Sequence, residues 1–167
     1  VDRARLQQYA ATDPGLREFC RKAVEEGLMT PFQSEVMGFW YFSGRPDQLG
    51  VNFTNMKQID ATDATDLTRA TIEGRRQARM AETAFRRLVP GLEHCYLIDT
   101  APCLGVRESR RIRGVETLTI DDVLATRKVA GGVAKGSFFV DIHSPDKTAF
   151  ADPRWLPRDG YYDIPYG

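Results

Sequence analysis

Asp63-Ala-Thr-Asp-Leu-Thr-Arg-Ala-Thr-Ile-Glu-Gly-Arg-Arg-Gln-Ala-Arg-Met-Ala-Glu-Thr-Ala-Phe-Arg-Arg-Leu88 is the stretch on which the architecture turns. Leu67, Ala70, Thr71, Gly74, Ala78, Ala81, Phe85 and Leu88 recur on one stripe, while Arg75, Arg76, Arg79, Arg86 and Arg87 mostly point away from it. That spacing predicts one long helix over Thr65 to Leu88. The polar loop Ile59-Asp-Ala-Thr-Asp63 offers the N-caps and Pro90-Gly91 the stop. Glycine inside a helix costs about 1 kcal/mol relative to alanine. A small-residue stripe centred on Gly74 therefore implies a close neighbour, either a sheet or another backbone on the one hand, or a cofactor on the other.

Working outward toward the N-terminus, Gln48 to Asn55 carries an extended pattern through Leu49, Val51 and Phe53, and Val36 to Ser43 is dense in aromatic and β-favouring residues. With the turn chemistry of Gly44-Arg45-Pro46-Asp47 between them, the two runs predict a hairpin. Asp13-Pro14 opens a helix predicted over about residues 14 to 26, with Leu16, Phe19, Cys20, Ala23 and Val24 at helical spacing and Gly27 as a left-handed stop. A weaker helical pattern precedes it through Leu6 and Tyr9.

Toward the C-terminus, Cys95 to Ile98 reads as a short buried strand. Leu104 to Ile112 reads as a strand alternating Val106, Glu108, Arg110 and Ile112 against Arg107, Ser109 and Arg111. Thr119-Ile-Asp-Asp122 approximates a capping box for a short helix to about Arg127. Gly131-Gly132 and Gly136 lead into a further strand candidate, Phe138 to Ile142, and the proline-containing stretch Asp146 to Gly160 reads as a loop.

The chain has 167 residues, 42% hydrophobic and 28% charged, which suits an ordinary globular protein. Lys plus Arg and Asp plus Glu number 23 each. No global field therefore favours nucleic acid or an anionic membrane, and any charge-based function is local. Cys20, Cys95 and Cys103 form no C-x-x-C unit, so a reducing, cytoplasmic setting is the default expectation. No apolar run approaches the roughly 20 residues needed to span a bilayer. Both ends of the sequence look cut rather than natural.

What is missing constrains the chemistry most. A Rossmann-type dinucleotide site needs G-x-G-x-x-G directly after a strand, and Gly131-Gly132-Val-Ala-Lys-Gly136 has the wrong spacing and follows a helix. The densest chemical cluster is Gly105-Val-Arg-Glu-Ser-Arg-Arg-Ile112. On a strand, Arg107 and Arg111 would share one face, and Glu108 and Arg110 the other. Planar guanidinium groups grip carboxylates and phosphates, so this strand can orient an acidic substrate or stabilise an anionic reduced flavin. It can equally be a solvated face held by Arg to Glu pairs. In Phe138-Phe-Val-Asp-Ile-His143, Asp141 and His143 fall on one side of a strand. The carboxylate can set the tautomer of a proton-transfer imidazole, or His143 can simply end the strand on a carbonyl. The spacing of His94, Cys95, Cys103 and His143 matches no familiar zinc site, and no metal is expected. Trp40-Tyr41-Phe42 and Tyr161-Tyr162 read as packing, with a flavin or substrate wall as the alternative.

These pieces occur in a familiar order. Val51-Asn52-Phe-Thr54, Asp63-Ala-Thr-Asp66-Leu67-Thr68-Arg-Ala70, Glu73-Gly74-Arg75, Val89-Pro90-Gly91, Gly105 to Gly114, Leu118 to Val123, Asp141-Ile-His143 and Tyr162-Asp163-Ile-Pro165-Tyr166 resemble, in succession, a family of bacterial FAD-dependent oxidoreductases. The likeness runs from about residue 50 to the end. It implies an α+β body, a mixed or antiparallel sheet backed by the long helix, serving as the substrate or cap domain of a two-domain flavoprotein. Residues 1–50 would be its variable part, 51–145 its core and 146–167 a crossover returning toward an FAD-binding domain that is not present in this sequence. The resemblance implies FAD held mainly outside this sequence and hydride transfer between an organic substrate and the flavin. It assigns Arg107 to the cofactor, Arg110 and Arg111 to a small-molecule substrate, and His143 with Arg110 to catalysis. The implied partners are that substrate and the FAD-binding domain, with no nucleic acid and no membrane. Two rivals are a non-catalytic anion- or partner-binding module using Arg79, Arg86, Arg87 and Arg107 to Arg113, and a structural assembly domain with an exposed apolar face.

Overall fold

The computed structural model describes residues 1–33, 38–107, 109–141 and 154–166. They fall into two compact units, Val1–Ser109 and Arg110–Gly167.

The first unit opens with α1 (Arg3–Thr12), capped by the Asp2 carboxylate, which accepts from the Arg5 N–H. A single helix over about 14 to 26 is not formed. Gly15 and Leu16 take left-handed backbone angles (φ +74° and +52°) in a 3-10 turn, and α2 spans Arg17–Glu25. The reason is Asp13, whose two carboxylate oxygens accept the N–H groups of Glu18 and Phe19, both at 3.0 Å, capping α2 from across the turn. Leu16 is thereby turned into the core. Gly27 (φ +68°) ends α2 as predicted, with the Leu28 N–H bonding back to the Ala23 carbonyl.

The hairpin is present as β1 (Gly38–Phe42) and antiparallel β2 (Arg45–Asn52). Its turn is tighter than the sequence suggests. Tyr41 pairs with Leu49, the register then slips, and Phe42 faces Arg45, leaving Ser43 and left-handed Gly44 (φ +72°) as the reversal. Residues 36 and 37 of the predicted strand lie outside the described residues.

The long helix α3 spans Ala64–Leu88, with the Asp63 carboxylate accepting from Thr65 and Asp66 N–H. Its buried residues are Ala70, Gln77, Ala81, Ala84 and Phe85. The buried stripe thus includes Gln77 and Ala84, which apolar periodicity alone passes over, whereas Leu67 and Ala78 are only half-buried. Phe85 stacks on Phe19 (5.1 Å between centroids) and packs against Phe53 (5.4 Å), tying α2 and the end of the hairpin to α3. Truncating a core phenylalanine costs about 3–5 kcal/mol, so this trio anchors the unit. The neighbour demanded by Gly74 is a side chain. A Cβ there would lie 3.1 Å from the Met56 methyl and 4.0 Å from Leu104.

Beyond α3 the sequence expectation fails twice, for one reason. Cys95 to Ile98 and Leu104 to Ile112 form no strand among the described residues, and Tyr96 and Ile98 are 74% and 63% exposed. β-propensity needs a partner edge to act on, and among the described residues none pairs with these segments.

The second unit holds α4 (Ile120–Leu124), with the capping box formed as predicted. Thr119 Oγ1 accepts the Asp122 N–H, and the Asp122 carboxylate accepts the Thr119 N–H. The helix stops earlier than Arg127, at left-handed Thr126 (φ +53°). β3 (Ala134–Gly136) pairs antiparallel with β4 (Tyr162–Ile164), Lys135 facing Asp163 and Gly136 facing Tyr162. Among the described residues the strand predicted over Phe138 to Ile142 shows one bridge, Val140 to Arg154, while Ile142 and most of the loop predicted from Asp146 lie outside the described residues.

The class is α+β, and the pairing is antiparallel. Among the described residues there are two two-stranded sheets instead of one sheet backed by the helix, and β1–β2 shares the α3 core through Phe39, Leu49 and Val51. No helix among the described residues is long and apolar enough to cross a membrane.

Candidate functional site

In the second unit a short stretch of backbone pairing builds an aromatic groove. After β3 the chain runs through Ser137 to Val140, whose N–H and carbonyl both bond Arg154 at 3.0 Å. That bridge sets Phe139 opposite Trp155, and their rings meet at 4.4 Å between centroids. Phe138 stacks on Phe139, also at 4.4 Å and at 24°. The end members remain open, Phe138 63% and Trp155 70% exposed. They line a groove of about 530 Å³ completed by Ser137, Leu156, Asp159 and Tyr161, among others.

Tyr161 carries two ammonium groups on its ring. Lys128 Nζ lies 3.3 Å and Lys135 Nζ 4.7 Å from the ring centre, and Lys128 also donates to the Tyr161 carbonyl. The Asp159 carboxylate at the groove lies 3.9 Å from the Arg158 guanidinium. Chemically, the groove offers exposed π faces beside a pair of cations.

The sequence-predicted residues are distributed differently. Arg107 belongs to the first unit, and Arg110 and Arg111 to the second. All three are exposed, and none lies on a strand, so Arg107 and Arg111 do not share the predicted strand face. Glu108 and His143 lie outside the described residues, whereas Asp141 is described and half-buried. The outward arginines of α3 are largely engaged by neighbouring acids: Arg69 with Asp66 at 2.9 Å, Arg76 with Glu73 at 2.7 Å and Arg79 with Glu82 at 3.6 Å. Arg76, and Gln77 after it, hold the Glu73 carboxyl below its ordinary range. The Asp60 N–H, then Arg69, do the same for Asp66.

The helix N-termini share one property. Asp2, Asp13 and Asp63 place carboxylates on the first amides of α1, α2 and α3, and Thr119 with Asp122 closes α4. A helix N-terminus attracts phosphate through its bare N–H groups and its dipole. Here one or two of those donors in each of α1, α2 and α3 are occupied by aspartate side chains, and the Asp122 N–H of α4 by the Thr119 hydroxyl. Among the described residues no cluster of three or more His, Cys, Asp or Glu is arranged to hold a metal.

The sequence carries no signal for Lys128, Lys135 and Trp155: the lysines meet Tyr161 beside the β3–β4 pairing, and Trp155 meets Phe139 beside the Val140 bridge. The one legible signal was the aromatic pair Tyr161-Tyr162. A model of the family described as FAD dependent oxidoreductase matches residues 5–167. No curated protein and no solved structure matches the chain.

Proposed function

Because the chain belongs to the family of FAD-dependent oxidoreductases, we propose that it forms the substrate-side portion of such an enzyme and that the flavin nucleotide is held mainly by other sequence. The reaction class is hydride exchange between an organic substrate and flavin, for which the flavin supplies the two-electron chemistry.

One observation carries the division of labour. A dinucleotide needs amide donors for its diphosphate, and among the described residues α1, α2 and α3 present N-termini capped by aspartate carboxylates instead, while the Thr119 hydroxyl caps α4. The sheets point the same way. Both are antiparallel pairs, and no parallel strand-helix-strand unit occurs among the described residues. These features support a reading in which the diphosphate of FAD is held by other sequence.

The side chains proposed for the reaction are Arg107 toward the flavin, Arg110 and Arg111 for an acidic group on the substrate, and His143 for proton transfer, since imidazole titrates near neutrality. The rival reading as a phosphate- or partner-gripping module draws on the arginines of α3. Arg79 and Arg87, two of those it needs, face Glu82 and Glu26.

The test has two parts. The isolated 167-residue chain is expected to stay colourless after incubation with FAD and desalting, while the complete parent protein is expected to purify yellow. A colourless parent overturns the redox reading, and tight FAD uptake by the isolated chain overturns the division of labour. In a yellow parent, His143→Gln is expected to slow flavin reduction by about 10²–10⁴-fold, the usual contribution of a positioned proton-transfer group. Unchanged rates in Arg107→Ala, Arg110→Ala and His143→Gln alike would remove the residue assignment.

A further inference from the structure

We infer that the tip of the β1–β2 hairpin, Phe42 to Asp47, is a hinged flap. It undocks from α1 as a unit, pivoting at the register slip after Tyr41, while the rest of the hairpin stays on α3. The inference lies within the first unit and does not depend on the redox reading.

Three observations converge. The first is a gradient of attachment along the hairpin. At its base Gln77 of α3 holds the chain on both sides: its backbone carbonyl accepts from Gln33 Nε2, and its side-chain amide pairs with the backbone of Asn55. Phe53 is buried beside Phe19 and Phe85, and Phe39, Leu49 and Val51 are half-buried against the same core. Every residue from Phe42 to Asp47 is exposed. Apolar burial fixes the base of the hairpin and does not reach its tip.

The second is a break in the ladder where that burial ends. Tyr41 pairs with Leu49 but Phe42 pairs with Arg45, so Pro46, Asp47 and Gln48 stand between two successive pairs. Extra residues on one strand interrupt the hydrogen bonding and bend the strand there. Pro46 has no N–H with which to restore it. A few residues at the end of an element that absorb a change of backbone angle make a hinge.

The third is the contact that holds the tip down. Arg3 Nη2 donates to the Arg45 carbonyl at 2.9 Å, the Arg3 guanidinium carbon lies 4.4 Å from the ring centre of Tyr41, and the Val1 nitrogen donates to the Asp47 carbonyl at 3.1 Å. The same contact buries Arg3 Nε and the Tyr41 hydroxyl, and neither has a hydrogen-bond partner among the described residues. A buried donor without a partner forfeits its bond to water. Undocking breaks two hydrogen bonds made at exposed positions, where water replaces them, and returns the two stranded groups to water. That offset brings the docked and undocked tips close in free energy, the condition for a flap with two populated states.

The experiment is NMR relaxation dispersion on the full chain, which detects minor states exchanging in microseconds to milliseconds. Exchange with one shared rate is expected at the amides of Arg3, Phe42 to Arg45 and Asp47, with flat profiles at Phe53, Asn55 and through α3. Tyr41→Phe removes one stranded group and keeps the ring, and it is expected to lower the undocked population about fivefold or more, the scale of one buried hydroxyl relieved of its desolvation. Arg3→Ala removes the dock, so the exchange is expected to vanish and the tip resonances to settle at the shifts of the minor state. General loss of structure would not produce that pattern. Should Arg3→Ala fail to fold, judged by circular dichroism, Tyr41→Phe carries the test. Flat profiles at the tip overturn the inference. So does exchange that runs at the same rate through Asn55 and α3, which would mean that the whole unit opens, or an undocked population unmoved by Tyr41→Phe.

Discussion

The side-chain amide of Gln77 completes a peptide-like pair with the backbone of Asn55. The Asn55 N–H donates to Gln77 Oε1 at 2.9 Å, and Gln77 Nε2 donates to the Asn55 carbonyl at 3.0 Å. Gln77 is 1% exposed, and its own backbone carbonyl accepts from Gln33 Nε2 at 3.1 Å, so one residue of α3 fastens both the chain leaving the hairpin and the turn at Pro31–Gln33. Gln77→Ala leaves both Asn55 groups without protein partners and is expected to lower stability by about 2–3 kcal/mol, the toll of stranded polar groups. Gln77→Glu keeps the acceptor, removes the donor and adds charge beside Glu73, so it is expected to be no better. Urea unfolding with an unchanged denaturant slope measures both, and a loss under about 0.5 kcal/mol would contradict the role given to the amide.

Gly91 is required by contact as well as by conformation. Its φ is +92°, and a Cβ there would stand 2.6 Å from the Asp2 carbonyl oxygen and 2.9 Å from the Leu6 nitrogen, where α1 begins. Backbone cannot step aside as a side-chain tip can. Gly91→Ala is expected to destabilise by about 2 kcal/mol or more and to loosen α1 first. Hydrogen exchange of the α1 amides reads this, and unaltered protection there would refute it.

Gly74 makes the opposite prediction. The obstacle to a Cβ is the methyl end of Met56 at 3.1 Å, a flexible group that can shift by a few tenths of an ångström. Alanine is favoured over glycine in a helix by about 1 kcal/mol, so Gly74→Ala is expected to leave stability unchanged or raise it. If a cofactor rather than Met56 were the close neighbour, the same substitution in the complete parent would abolish flavin retention. Thermal melting and flavin content together separate the two readings.

Acid sensitivity follows from the paired carboxylates. Asp66, Glu73 and Asp122 are held below their ordinary pKa values by the Asp60 N–H, the Arg76 guanidinium and the Thr119 N–H respectively. With folded values below unfolded ones, their stabilisation is full above the ordinary carboxylate range and is lost as pH falls through the depressed values. The urea midpoint is expected to be insensitive to these groups between pH 7 and 5, roughly, and to drop below about pH 4.5. Asp66→Asn should flatten the acid limb. A midpoint that rises on acidification would show that other groups control the titration.

The three thiols rank by burial. Cys103 is exposed, Cys95 is half-buried with burial pushing its thiol pKa up, and Cys20 is fully buried. Since the thiolate is the reactive form, iodoacetamide at about pH 8 should label Cys103 first, Cys95 more slowly and Cys20 only on unfolding. Mass spectrometry over time gives the order, and early labelling of Cys20 would mean that the α2 core opens readily.

Some of this architecture is carried by local sequence. Asp63 before the α3 pattern, Thr119 with Asp122, Gly27 after α2 and the alternating run on either side of Gly44 act through bonds that span a few residues, and those helices and the hairpin form where the sequence places them. Local signals misled where they needed a distant partner. Arg107, Arg110 and Arg111 sit in a run with strand-like alternation, yet without a neighbouring edge the alternation produces no strand. Asp13 capped Glu18 and Phe19 from beyond a kink because its carboxylate could reach across Gly15, a geometry that spacing does not encode. Gln77 carries no signal in the apolar pattern of α3, and its burial is explained only by Asn55, 22 residues away, coming within hydrogen-bonding reach. The aromatic groove belongs wholly to this second kind: Phe139 meets Trp155, and Lys135 meets Tyr161, only after antiparallel pairing closes the intervening loops. Sequence by itself therefore determined the course of α3, the stop of α2 and the start of α4, the α+β class and, through the order of its motifs, the flavoprotein family. Which polar groups are buried, which rings lie side by side and which charges gather was decided by tertiary structure, because those interactions fall off within a few ångströms and only folding sets such distances.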